Sequence, residues 1–198
     1  MDHPFRLVLI VGACLLLPIM LYHRLQAHTG ETLDRRQEGL PILITLRPVG
    51  FAMMAGLIAY MINPASMAWS SFPSPVWLRW VGVGIGGLAG VMLLWTLSSL
   101  GKNLTDTVVT RRVHTMVASG PYRWVRHPFY ICVALTIVAN GLVAANWFLL
   151  GAGAVVVALL VVRTRREEQK LIERFGDSYR GYMERTGRFL PRIRSRSR

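Results

Sequence analysis

The stretch FYICVALTIVANGLVAANWFLLGAGAVVVALLVV, Phe129–Val162, decides the fold: 34 residues pass without a charged side chain. As one helix it would measure about 51 Å, against a bilayer hydrocarbon core of about 30 Å. Something must break it, and Asn140-Gly141 and Asn146-Trp147 are the available turn signals. The expectation is a helical hairpin, each arm on the short side for a full span.

Three more apolar blocks precede it: Phe5–Tyr22, Ile42–Ile62 and Val76–Leu97. The first lacks both a strongly basic start and a small-residue cleavage site, so it reads as a span rather than a secretory signal. Asn63–Pro75 carries three prolines and no charge, the composition of a loop. The third block contains Gly82, Gly86 and Gly90 at small-xxx-small spacing, which suits close helix packing. Overall, 53% of residues are hydrophobic and 17% charged, with a mean hydropathy of +0.39. A charged fraction below the roughly 25% of soluble domains, with the apolar residues in long blocks, marks a membrane protein. The expected fold class is therefore an all-α integral membrane protein. It has about five transmembrane helices, the last two a hairpin, followed by a cytoplasmic C-terminal helix.

Charge sets the expected orientation. Lys and Arg crowd the linker 23–41, the segment 101–126 and the region after Val162, whereas the turns 63–75 and 140–146 carry none. With five spans the positive-inside rule places the N-terminus outside and the C-terminus in the cytoplasm. The net charge of +13 then serves topology and anionic lipid head groups rather than nucleic acid. Residues 163–185 are rich in helix formers and continue the last helix into water until Gly176 and Gly181 interrupt it. Arg192, Arg194, Arg196 and Arg198 mark a basic tail, with 193–198 as its end. The division expected is three helices in 1–99 and a catalytic region in 100–192.

Several chemistries find no support. His114 and His127 lie 13 residues apart with no companion His or Cys at ligand spacing, so no metal site is expected. Cys14 and Cys132 both fall inside apolar runs and read as small buried hydrophobes. No Gly-x-Ser-x-Gly nucleophile motif is present. The charges inside spans, Arg6, Arg47 and Arg79, all sit near span ends; Arg47 can snorkel to the interface. That arrangement argues against an ion or proton pathway.

What remains are two polar clusters at the ends of the uncharged run. Arg126-His127-Pro128 and the aromatics Tyr122, Trp124 and Tyr130 precede it; Arg163-Thr-Arg-Arg-Glu-Glu168 follows. Taken alone, the first is an ordinary basic flank with an aromatic belt. In the second, Arg163 and Glu167 share a helix face while Glu168 points about 100° away. Adjacent carboxylates sit poorly at an interface that favours Lys and Arg. A pocket with one cationic and one anionic wall, on the cytoplasmic side, accounts for both clusters.

Four ordered elements resemble the isoprenylcysteine carboxyl methyltransferases, which share Arg-His-Pro and Glu-Glu with phospholipid N-methyltransferases. They are His114–Tyr130, Arg163–Glu168, Phe175-Gly-Asp-Ser-Tyr-Arg-Gly-Tyr182 and Arg188-Phe-Leu-Pro-Arg192. The likeness covers about Leu100–Arg192. It implies S-adenosylmethionine bound at the cytoplasmic face and a lipophilic acceptor arriving from the bilayer, such as an isoprenylcysteine-like carboxylate. By position it implies that His114, Thr115, Met116, Val117, Tyr122, His127, Pro128, Phe129, Tyr130 and Glu167 bind the cofactor. It further implies that Arg163 holds the acceptor, and that Arg163 and Glu167 carry the catalysis. Where the family has a small Gly two residues after the motif tyrosine, this chain has Cys132. Competing expectations are a thiol or phospholipid amine as acceptor, a sterol-type reductase using NADPH, and a membrane protein with no enzymatic activity. Arg-Glu-Glu, in place of the Arg-Asp…Arg-Cys pattern of the reductases, favours methyl transfer.

Overall fold

A computed structural model describes residues 2–26, 40–100 and 116–192. Six α-helices carry the fold among the described residues: α1 His3–Gln26, α2 Leu40–Ile62, α3 Val76–Leu100, α4 Pro128–Ala144, α5 Trp147–Phe175 and α6 Asp177–Arg185. Short 3-10 helices occupy Pro64–Ser70 and Gly120–Arg123, the first inside the segment expected to be loop. Four helices, α1, α2, α3 and α5, are long and apolar enough to cross a membrane; α4 has 17 residues.

The uncharged run does fold back on itself, at one of its two turn signals. Ala145 takes a left-handed conformation (φ 47°), and its N–H bonds to the carbonyls of Gly141 and Leu142 to close α4. Asn146 then caps α5, its Oδ1 accepting from Leu149 N at 3.1 Å. Asn140-Gly141 does not break the chain: both residues lie inside α4, because an uncapped Asn-Gly is overridden where tertiary packing supports the helix. Gly181 is likewise absorbed within α6, whereas Gly176, at φ 55°, ends α5 as expected.

Helix α3 lies along α4, and its glycines set how closely. A Cβ on Gly82 would stand 2.9 Å from Leu142 Cβ and 3.1 Å from Val143 N, and one on Gly86 would touch Ala139 Cβ at 3.5 Å. Gly90 faces Leu16 of α1. At the end of the bundle away from the polar clusters, Phe5, Leu9, Tyr60, Met67, Val143, Ala144 and Leu149 form a core shared by α1, α2, α4 and α5.

Arg79 closes that end. It is 6% exposed and does not reach for the interface. Its Nε donates to Val143 O at 2.9 Å, Nη1 to Asp2 Oδ1 at 2.8 Å and Nη2 to Tyr60 Oη at 2.9 Å. Its guanidinium also stacks 3.9 Å from the centroid of the Phe5 ring. A guanidinium so fully paired can be buried where a lone charge cannot. Arg47 is exposed on α2. Cys132 is buried as expected, but Cys14 is exposed, turned out from the bundle.

Candidate functional site

One face of α5 runs from core to site. Its buried residues are Leu149, Gly153, Val156, Leu160, Arg163, Thr164 and Glu168, the three- and four-residue steps of a helical stripe. The first four pack the hairpin. Beyond Val162 the same face turns ionic, so Arg163 and Glu168 are held where an apolar residue would otherwise sit. They meet the start of α4, which Pro128 opens at the first helical position.

Glu167 is the meeting point of one set of groups. Arg163 Nε donates to its Oε1 at 3.0 Å, and the Tyr130 hydroxyl donates to the same oxygen. His127 Nδ1 lies 3.7 Å from Oε2. The His127 ring stacks on Tyr130, centroids 5.5 Å apart and 6° from parallel, and Phe189 tilts against its other neighbourhood at 5.8 Å. Nε2 of His127 is buried and makes no well-aligned hydrogen bond, although Glu168 Oε1 is 3.4 Å away. A buried ring nitrogen without a good partner is the kind of donor or acceptor a ligand can satisfy.

Glu168 gathers a second set. Arg126 Nε donates to Oε1 at 2.8 Å, Arg188 Nε donates to the same oxygen at 3.2 Å, and Arg188 Nη2 donates to Oε2. Burial works against its ionisation, but His127 and the Arg188 and Arg126 guanidinia outweigh that and hold the carboxyl at about 2. Arg126 in turn donates through Nη1 to the carbonyls of Met183 and Thr186. Backbone bonds run alongside: Arg126 N to Gly187 O at 2.8 Å, His127 N to Arg188 O at 3.1 Å and Gly187 N to Trp124 O at 3.3 Å. Residues 186–190 therefore form a strap beside 124–127. An open cleft of about 700 Å³ follows the strap, bordered by Arg126, Thr186, Leu190 and Arg192.

The strap rests on tyrosines of α6. The Tyr182 hydroxyl donates to Tyr122 O, and Thr186 Oγ1 donates to Tyr182 O at 2.6 Å. Burial pushes the phenols of Tyr122 and Tyr179 up, and that of Tyr182 to about 12. All three stay protonated at neutral pH.

Of the expected site residues, the structure brings His127, Tyr130, Arg163 and Glu167 together. Tyr122 is buried in the turn just before them, Pro128 is buried at the start of α4, and Met116 and Val117 are half-buried ahead of that turn. Phe129 packs instead toward α3, against Leu93, Leu97 and Cys132. Cys132 Sγ lies 3.8 Å from Thr96 Oγ1, so the residue that replaces the family glycine faces α3, not Glu167. His114 and Thr115 lie outside the described residues. Arg126 and Glu168 were expected in the pocket's two clusters without individual roles, and Arg188 and Phe189 had none; the adjacent Glu-Glu pair and the Arg188-Phe-Leu-Pro-Arg192 motif were their signals.

Residues 82–173 match the model of the isoprenylcysteine carboxyl methyltransferase (ICMT) family, a span that takes in α3, the Arg-His-Pro segment, the hairpin and both glutamates. Over that span, a little under half of its length, the chain is similar to this family. The solved structure of the eukaryotic intramembrane Ras methyltransferase ICMT overlays with a TM-score of 0.52 at 23% identity, covering 74% of this chain and 52% of that one. That overlay shows a shared all-α membrane fold. The cobalt-zinc-cadmium resistance protein CzcN of Cupriavidus metallidurans is 29% identical over 58% of this chain and 55% of its own length. Mouse protein-S-isoprenylcysteine O-methyltransferase is 29% identical over 64% of this chain and 46% of its own. The chain thus spans about half the length of the relatives it matches. With four such apolar helices and the fold of an intramembrane protein, it is an integral membrane protein. No group of three or more His, Cys, Asp or Glu side chains suited to a metal occurs among the described residues.

Proposed function

We propose that this protein is a membrane methyltransferase that uses S-adenosylmethionine to methylate the carboxylate of a lipophilic acceptor of the isoprenylcysteine type. The observation that carries the reading is the Glu167 cluster, which sets a carboxylate, a phenol and a buried, poorly satisfied imidazole together where an apolar helix becomes polar. The likeness to the family model and to the mouse relative supports the same activity.

The donor set fits the cofactor. Glu167 offers acceptor oxygens to a ribose diol or an ammonium group, His127 Nε2 offers a ring nitrogen held only loosely by Glu168, and Tyr130 and Phe189 offer aromatic faces. Tyr122, Pro128, Met116, Val117, His114 and Thr115 complete the proposed cofactor site, while Phe129, packed toward α3, backs it. Bound there, S-adenosylmethionine supplies an electrophilic methyl group on a cationic sulfur.

The chain's own task is positioning and exclusion of water. An ionised carboxylate acceptor needs no general base at neutral pH, so the site requires none. Arg163, buried at the point where α5 leaves the apolar run, is placed to orient that carboxylate. Its bond to Glu167 holds the guanidinium in place and shares its charge, which leaves the acceptor nucleophilic. The site end of the bundle faces the cytoplasm in this reading, since the basic segments gather there.

Membranes containing the protein, given radiolabelled methyl donor and a prenylated cysteine analogue, are expected to yield a labelled, base-labile methyl ester. Label in no lipid-soluble product, from folded protein, would contradict the reading.

A further inference from the structure

The two adjacent glutamates share His127 but otherwise face different partners. Glu167 meets Arg163 and Tyr130, Glu168 holds Arg126 and Arg188, and the His127 ring lies 3.7 Å from the first carboxylate and 3.4 Å from the second. Those two arginines come from opposite sides of a chain junction: Arg126 precedes α4, and Arg188 lies in the strap that follows α6. Glu168 is 3% exposed, and a carboxylate so buried requires both cations. Around this junction three backbone hydrogen bonds join Trp124–His127 to Gly187–Arg188. The strap then carries Phe189 to within 5.8 Å of the His127 ring.

We infer that Glu168 is a positioning residue. By binding Arg126 and Arg188 at once it clamps the strap 186–190 against the Arg126–His127 segment, and so sets the His127–Phe189 pair as one wall of the methyl-donor pocket. It acts through the arginines and its own contact with His127, not on the donor. The inference rests on the cofactor reading given above for the wall's use, but the clamp itself is a property of this chain.

Gly187 shows how tightly the strap is folded. A Cβ there would fall 1.7 Å from Leu190 O and 2.9 Å from Leu190 C, so the turn from Gly187 to Leu190 has no room for any other residue. A strap with so little slack responds to the loss of its anchor by lifting as a unit rather than by local adjustment.

The test compares Glu168→Gln and Arg188→Met with wild type, in detergent, by two measurements. Arg188 is more exposed than Glu168, so Arg188→Met disturbs the packing less and carries the test where Glu168→Gln does not fold. Hydrogen exchange is expected to show lost protection at the amides of Arg126, His127 and Gly187 in both variants, with the α3–α4 amides unchanged. Isothermal titration is expected to show S-adenosylmethionine bound about tenfold more weakly, a difference of about 1.4 kcal/mol, and kcat at saturating donor is expected to fall less than KM rises. The double variant should lose little more than either single one. Unchanged amide protection would overturn the clamp, and lost protection with unchanged donor affinity would overturn its role in the pocket. Wild-type protein that binds no donor would refute the cofactor reading instead, and the exchange result would still decide the clamp.

Discussion

Arg126 and Glu168, 42 positions apart in sequence, meet at 2.8 Å with both side chains more than nine-tenths out of solvent. The contact joins the two polar clusters that flank the hairpin, and it exists because α4 and α5 return the chain to the end of the bundle where it began. A buried pair of this kind adds little net stability over an apolar one, yet removing one partner strands the other.

Arg126→Met is therefore expected to destabilise the protein by about 3 kcal/mol, read as a lowered unfolding midpoint in detergent. Lys170→Ala provides the contrast: the Lys170–Glu173 pair is 3.2 Å long but largely exposed, and its loss should change stability by no more than about 0.5 kcal/mol. Equal effects from the two substitutions would mean that Glu168 is not dependent on Arg126.

Glycine substitutions should divide sharply by position. Gly82→Ala forces α3 and α4 apart, and a cost of about 1–3 kcal/mol is expected from overpacking. Gly84 and Gly87 of the same helix have nothing within 4 Å of a built Cβ, so Gly84→Ala and Gly87→Ala should be neutral or slightly stabilising. A thermal-shift series over the three variants checks the order.

At the far end of the bundle, Tyr60→Phe removes one of the three hydrogen-bond partners of Arg79. A loss of about 1–2 kcal/mol is expected, because a buried guanidinium N–H is left unmet. The methyl-donor affinity should not change, since this cluster lies at the other end of the spans. Titration of the folded variant with donor makes that check.

Much of the fold was legible in the sequence because it rests on two coarse signals, apolar length and charge asymmetry. The hairpin and the start of α3 at Val76 followed from them, and the close packing at Gly82 and Gly86 from the spacing of those glycines. The turn was located only in part. Asn146 breaks the run because its side chain caps α5, whereas Asn140 has no such use, and only three-dimensional packing separates the two. Arg79 read as a charge near a span end; its burial depends on Asp2, Tyr60 and Val143, which come from three other helices or their flanks. The pairing of Arg163 with Glu167 was readable from their four-residue spacing. The partners of Glu168 were not, since Arg126 and Arg188 reach it from segments with no periodic relation to α5.

The central claim is that the Glu167 cluster is a cofactor site. Isothermal titration of the purified protein with S-adenosylmethionine and its demethylated product tests it most directly, with Glu167→Ala and Arg163→Ala alongside wild type. Binding of both compounds by wild type, weakened more by Glu167→Ala than by Arg163→Ala, is the predicted result. Heat of dilution alone from folded wild type, or two variants that bind as wild type does, would contradict it.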